Sequence, residues 1–214
     1  MINKRHRLYR PVSLMVLFME FIYLFAMIAL IVLIFLATRL FRKKREQREI
    51  KSAGNKGEAY FNNMLKSILR NDDVLIRNVC LQVNGKEAEI DSLIINNNGI
   101  FIVEVKNYNG RLYGDIDDFE WTKEKISPGG NVFYKQVKNP IKQIKRQTYI
   151  LSQFLKENNI RIWISGYAYF INGNSPVDDE SVIDDIDELD RIIHTPGNKF
   201  YDDKLIHKVI KALK

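Results

Sequence analysis

The sequence predicts an α/β domain with a mixed β-sheet flanked by helices, preceded by a single membrane-crossing helix. Three observations carry that prediction. One apolar run near the N-terminus has the length of a bilayer. The segments after it alternate between helical and strand-like hydrophobic periods. Their order is helix, three strands, helix, strand, helix, which is an α/β pattern. A chain of 214 residues holds one ordinary domain and an appendage. With 46% hydrophobic and 28% charged residues, the composition argues against a disordered or fibrous protein.

From Val12 to Thr38 the chain carries one charge, Glu20, and Phe21–Ala37 is apolar except for the Tyr23 hydroxyl. At ~1.5 Å per residue, about 20 apolar residues cross a ~30 Å hydrocarbon core. Lys4, Arg5, Arg7 and Arg10 resemble the basic start of a signal peptide. The run is too long for one, and no small-x-small cleavage site precedes Arg39. Four basic residues flank the run on its N-terminal side and eight lie between Arg39 and Lys56, a bias that places residues 39–214 in the cytoplasm. The Arg42–Arg48 stretch either contacts anionic lipid headgroups or is a plain stop-transfer flank. The expected organisation is a tail over 1–11, a membrane helix over 12–38, a basic linker over 39–53 and a domain over 54–214.

Charge divides along the same line. Residues 1–56 hold twelve Lys/Arg against three Asp/Glu, whereas residues 57–214 hold 21 against 23. The formal charge of +7 therefore belongs to the N-terminal segment, and the domain is not a strongly basic nucleic-acid binder by composition. The lone Cys80 excludes an internal disulfide and a cysteine-based zinc site, and it fits a reducing compartment.

Within the domain, the linker helix is expected to break at Gly54 and Gly57. Glu58–Leu69 reads as an amphipathic helix with Tyr60, Phe61, Met64, Leu65, Ile68 and Leu69 on its apolar face. Val74–Val83 reads as a strand closed by Asn84-Gly85. Ala88–Ile95 and Ile100–Lys106 form a hairpin across Asn96–Gly99, whose residues tolerate the positive φ of tight turns. A short strand covers Arg111–Tyr113, and Ile126–Lys138, with Pro128-Gly129-Gly130, reads as a loop. Pro140–Lys156 is a helix, Arg161–Ile171 a buried strand, and Leu205–Leu213 a last helix. The acidic run Asp178–Asp190 reads as a solvated loop and helix start.

The chemistry concentrates on Asp91, Glu104 and Lys106. Glu104 and Lys106 lie two apart on one strand and share a face. A two-residue loop at Asn97-Asn98 sets Asp91 opposite Glu104, and one at Asn98-Gly99 sets it opposite Lys106. In either register all three project from one face, and a three-residue loop breaks the parity. Both strands are apolar on both faces, so these charges sit in a covered sheet. Two carboxylates there repel, and a divalent cation removes the conflict. Oxygen-only ligation suits Mg²⁺ or Mn²⁺ better than Zn²⁺. A cross-strand Asp91–Lys106 salt bridge with a solvated Glu104 is the structural alternative.

The pattern Asp91-x12-Glu104-x-Lys106 resembles that of the PD-(D/E)xK nucleases, with their restriction-endonuclease-like fold. The flanking residues are similar to the nuclease-related domain (NERD) family. Gly54-Asn55-Lys56-Gly57-Glu58 looks like its opening G-x-x-G-E. Glu89-Ile90-Asp91 and Gly99–Asn107 look like its two central strands. Trp121 and Asn139-Pro140-Ile141-Lys142-Gln143 resemble its later elements. The resemblance covers about residues 54–170. It implies metal-dependent hydrolysis of DNA phosphodiester bonds, with Asp91 and Glu104 holding Mg²⁺ or Mn²⁺ and the Val105 carbonyl as a candidate further ligand. It further implies that Lys106 orients water and stabilises charge, that Glu58 adds a ligand, and that Gln143 positions water or phosphate.

Bland readings stand beside these. Glu58 is placed as well for the helix macrodipole. Gln143 is equally a core-edge amide, and Trp121 a packing residue. Lys135, Lys138, Lys142, Lys145 and Arg146, with Tyr134 and Tyr149, form either a phosphate-contacting face or a solvated one. His194 and His207 lack partners at ligand spacing. Two further functional readings stay open: a catalytically silent module binding nucleic acid or a protein partner at the membrane, and a purely structural membrane protein.

Overall fold

The computed structural model describes residues 14–127, 129–197 and 199–213. The expected tail over 1–11, the first two residues of the expected membrane helix and Pro128 lie outside the described residues, as does the Glu20 side chain. The chain divides into two compact units, Met1–Lys51 and Ser52–Lys214. Helix α1 (Leu14–Ile68) supplies the described part of the first and opens the second. Within it, Phe21–Arg48 is the one helical stretch among the described residues that is long and apolar enough to cross a membrane. Its apolar side chains from Phe21 to Leu36 are exposed on every face among the described residues.

The expected break at Gly54 and Gly57 does not occur, because α1 runs through both. Glycine lowers helix stability by only ~1 kcal/mol per residue relative to alanine, which flanking packing outweighs. Phe61, Leu65 and Ile68 supply that packing on the buried face, whereas Tyr60 is exposed.

In the second unit, β1 (Val74–Val83), β2 (Lys86–Asn96), β3 (Gly99–Lys106), β7 (Ile164–Phe170) and β8 (Val182–Ile183) form a five-stranded mixed sheet in that order. The first three pair antiparallel, and β3–β7 and β7–β8 pair parallel. A parallel partner demands a crossover, and α2 (Pro140–Glu157) supplies it. One face packs on α2 and α4 (Asp203–Leu213) through Ile100, Ile102, Leu151 and Val209. The other packs on the end of α1 and on α3 (Ile186–His194) through Phe101, Val103, Phe61 and Leu189. The hydrophobic runs of β2 and β3 reflect this double cover.

Both hairpin turns form, by different means. Asn84 and Gly85 take φ of 50° and 73°, the left-handed pair that a twisted two-residue hairpin prefers. At the second turn neither Asn97 nor Asn98 has positive φ. The asparagines act there through their side chains. Asn96 Oδ1 accepts from the Asn98 N–H at 2.9 Å, Asn97 Nδ2 donates to the Tyr201 carbonyl at 2.7 Å, and Asn98 Nδ2 donates to the Ile193 carbonyl at 3.0 Å.

The expected loop over Ile126–Lys138 instead supplies the last strand of a second, three-stranded sheet and the turn that leads into it. Strands β4 (Leu112–Tyr113), β5 (Glu120–Ile126) and β6 (Val132–Lys138) pair antiparallel. The Pro-Gly-Gly signal marks only the turn between β5 and β6. Trp121 at the base of β5 is fully buried with Leu112, Ile141 and Phe170, and this anchor holds the polar hairpin in place.

The acidic run is partly explained by helix capping. Asp185 Oδ1 accepts from the Asp187 N–H at 3.0 Å, and Asp187 and Glu188 occupy the first turn of α3. His194, read from sequence as partnerless, lies between two carboxylates: Nε2 is 2.8 Å from Asp73 Oδ2 and Nδ1 is 2.6 Å from Asp190 Oδ1. Asp190 is one helical turn away; Asp73 is distant in sequence, and only the fold brings it there.

Candidate active site

The β2–β3 hairpin pairs Asn96 with Gly99, and its last pair is Ser92 with Val103. This is the two-residue loop at Asn97-Asn98, whose register sets Asp91 opposite Glu104. On the other side, the β1–β2 register sets Asp91 opposite Asn78, between the pairs Arg77–Ser92 and Val79–Ile90. Regular alternation would then keep Asp91 on the face of Glu104. The packing shows otherwise. Leu93 and Ile95 share one core cluster with Ile90 and Ala88, and Ile76 shares it with Val79 and Leu81. Both strands therefore change face at Asn78 and Asp91. The cause is Asn78, whose φ of 52° is left-handed within a strand, a conformation that asparagine tolerates better than most residues. Asp91 lines a cleft on the α1 side, and Glu104 and Lys106 face α2. The expectation that all three charges project from one face is corrected accordingly.

On the α2 side the charges form a closed network. Lys106 Nζ donates to Glu104 Oε1 at 2.6 Å and to Gln143 Oε1 at 3.0 Å. Gln147 Nε2 donates to Glu104 Oε2 and to the Glu89 carbonyl, each at 2.7 Å. Glu104 is only 3% exposed, so the alternative of a solvated Glu104 beside an Asp91–Lys106 bridge is not what the structure holds. Asn139 sets the register of α2: its Oδ1 caps the Ile141 N–H at 2.9 Å, and its Nδ2 donates to the Asp118 carbonyl at 2.8 Å. Pro140 follows at the first helical position, where its missing N–H costs nothing. Gln143 then falls one turn along, facing Lys106. Gln147 escaped the sequence reading, although a signal existed: it is a polar residue on the stripe between Ile144 and Leu151, one turn from Gln143. Among the described residues its Oε1 is buried without a hydrogen-bond partner.

On the α1 side lies a cleft of about 500 Å³, lined by Asn55, Glu58, Asn62, Lys66, Arg77, Asn78, Asp91 and Val105 among others. Asp91 Oδ2 accepts from the Val105 N–H at 3.3 Å, taking the place of the next ladder bond. Gly57 lets α1 pass close to the segment that follows β3, since a Cβ there would come within 2.6 Å of the Asn107 Cβ. Glu58 follows directly and joins the lining.

Burial pushes the Asp91 carboxyl up to about 7, with the Glu104 charge and, less strongly, Glu58 adding to it against Lys106 and the Val105 N–H. For Lys106, burial pulls the ammonium down, but Glu104, together with Tyr108 and Asp91, outweighs it and holds the group above its ordinary value. Tyr108 is raised by burial, with Lys106 opposing.

Asp91, Glu104, Lys106, Gln143 and Glu58 thus converge on the C-terminal end of β3, on two sides of the sheet. Among the described residues no three His, Cys, Asp or Glu side chains close into a ready-made metal cluster. The basic series does not form one face: alternation along β6 sends Lys135 away from Tyr134 and Lys138, and the remainder sits on α2. Lys142 meets Asp117 at 3.5 Å and the Phe119 ring at 5.7 Å. Trp121 packs against Phe170, and its Nε1 donates to the Asp115 carbonyl at 2.9 Å.

A family model described as the nuclease-related domain matches residues 53–171. An uncharacterized protein of Bacillus anthracis is 30% identical over 109 residues, covering 49% of this chain and 50% of that protein. The chain thus spans about half the length of the curated relative it matches. No solved structure matches it.

Proposed function

This chain belongs to the nuclease-related domain family, and from that premise we propose that it is a membrane-anchored, divalent-metal-dependent nuclease acting on DNA. The observation that carries the reading is the end of β3. There a carboxyl pushed up to about 7 opens on a polar cleft beside a buried Lys106–Glu104 pair held by two glutamines. Buried charge of this kind is costly for stability alone, and it clusters where chemistry is done.

The donor set fits a hard cation. On the cleft side Asp91 would hold the ion, with Glu58 and the Val105 backbone on the same lining. The Glu104 charge across the sheet adds a repulsion that such an ion relieves, and Glu104 would join it only by releasing Lys106 or Gln147. Mg²⁺ or Mn²⁺, when bound, supplies Lewis-acid activation of the phosphoryl group and acidifies water. Lys106 places a fixed positive charge for the phosphorane oxygens, without reorganising as charge develops. Gln143 fixes that ammonium from α2. Gln147 locks Glu104 to the Glu89 carbonyl and so keeps β2 and β3 aligned after their ladder has ended. Residues 12–38 anchor the chain, with the domain on the cytoplasmic side by the flanking charge bias and Arg42–Arg48 near anionic headgroups.

A second reading has its own observation: both Glu104 oxygens are already engaged, by Lys106 and Gln147, as in a silent, self-satisfied nuclease fold. Turnover separates the two. Full-length chain in detergent is incubated with labelled single-stranded and duplex DNA and Mg²⁺ or Mn²⁺, beside Asp91→Asn and Glu104→Gln. Metal-dependent cleavage lost in both variants supports the enzyme. Binding without cleavage under every condition leaves the silent module.

A further inference from the structure

Strand β5 reads Glu-Trp-Thr-Lys-Glu-Lys-Ile, and alternation along it sorts the charges by sign. Lys123 and Lys125 share the face of the buried Trp121, and Glu120 and Glu124 take the other. On β6, Lys135 pairs directly across from Lys123, and Phe133 pairs across from Lys125. Two lysines opposite one another on a hairpin repel. The local rule is broken where Lys123 already feels burial, Lys125 and Lys135, all of which lower its pKa. Phe133 is exposed at the same tip. The balance of 21 basic against 23 acidic residues in residues 57–214 hides this segregated face.

The face also runs toward the candidate site. At its base, Trp121 packs with Phe170 and Tyr108. Lys123 Nζ lies 5.4 Å from the centroid of the Tyr108 ring, and Tyr108 follows Lys106 by two residues. We infer that the Lys123–Lys125–Lys135 face of the β5–β6 hairpin, with Phe133 at its tip, binds a single nucleic-acid strand and leads it to the end of β3. The lysines meet successive phosphates, and Phe133 stacks on one unpaired base. The inference rests on the nuclease reading for the identity of the polyanion. Continuity with Tyr108 and Lys106 favours a nucleic acid over a lipid surface.

The test measures binding with metal chelated, so that cleavage plays no part. Full-length chain in zwitterionic nanodiscs is titrated against a labelled single-stranded oligonucleotide across a salt series. Replacing Lys123, Lys125 and Lys135 together by Gln should weaken binding at least about tenfold and flatten the log–log salt slope by about 2. Phe133→Ala should cost at least about fivefold, the low end for one lost stack. Lys138→Gln, on the opposite face, should change binding less than twofold. Unchanged binding in the triple variant overturns the inference, as does an equal loss in Lys138→Gln. Loss of anionic-vesicle capture with oligonucleotide binding intact overturns it in favour of a membrane contact. If the triple variant loses binding while no form of the protein cleaves, the strand site stands and the hydrolysis reading falls. If Asp91-dependent cleavage is present and the triple variant binds normally, the reverse holds.

Discussion

Glu104 and Lys106 alternate along β3 as Lys123 and Lys125 alternate along β5, yet their fates differ. The first pair is buried, and its groups are tied to one another and to two glutamines. The second lies on a hairpin whose tip is open to solvent: Lys125 is exposed, and Lys123 is half-buried beside the Tyr108 ring. Sequence alternation is the same in both strands. What differs is cover: helices close both faces of the five-stranded sheet, whereas the three-stranded sheet is held mainly at its base by Trp121. A charge under cover must be paired, which makes a rigid site. A charge in the open needs no partner and can wait for one.

That contrast breaks if the two regions respond alike to charge removal. Glu104→Ala leaves Lys106 and Gln147 buried with an empty partner position and should cost about 3–5 kcal/mol. Urea unfolding of the detergent-held chain, followed by tryptophan fluorescence, reads this directly. Lys125→Gln should move the same midpoint by no more than about 0.5 kcal/mol.

Asp91 sharpens the covered side. Its folded carboxyl sits at about 7 against an ordinary 3.8, so the folded state binds the extra proton between those values. Stability is full below pH 4 for this group and falls as pH rises through 7. Asp91→Asn should remove that slope and raise stability at pH 8 by about 1–3 kcal/mol. A melting series from pH 5 to pH 8 in chelator would show it, and a flat wild-type profile would count against the burial argument.

The paired glycines give the finest test. Gly57→Ala drives a methyl against Asn107 and should cost about 1–3 kcal/mol. At Gly54 an added Cβ meets nothing within 4 Å, so Gly54→Ala should stabilise the helix by about 0.5–1 kcal/mol. Opposite signs in thermal melts would separate packing from helix propensity. Equal signs would mean that α1 does not approach β3 at Gly57 as described.

Much of this architecture is legible in the amino-acid sequence alone. The apolar run, the bounds of β1, the β2–β3 hairpin and α2 follow from period and composition, because backbone geometry imposes periods of 2 and 3.6 wherever a face is buried. Asp91, Glu104 and Lys106 stand out because charged groups in an apolar setting are conspicuous, whereas Gln143 enters only through the family resemblance. The β5–β6 hairpin is not legible, since strands with one open face and many lysines carry little hydrophobic signal. Nor is the change of face at Asn78 and Asp91. It depends on one left-handed residue and on a paired strand that follows it, and alternation assumes that no such residue exists. Gln147 and the Asp73–His194 contact belong to the same class. Their partners are 43 and 121 residues away along the chain. Local period and chemical type are properties of the sequence by itself. Only the packed chain decides which distant groups meet, because that depends on how helices and strands settle against one another.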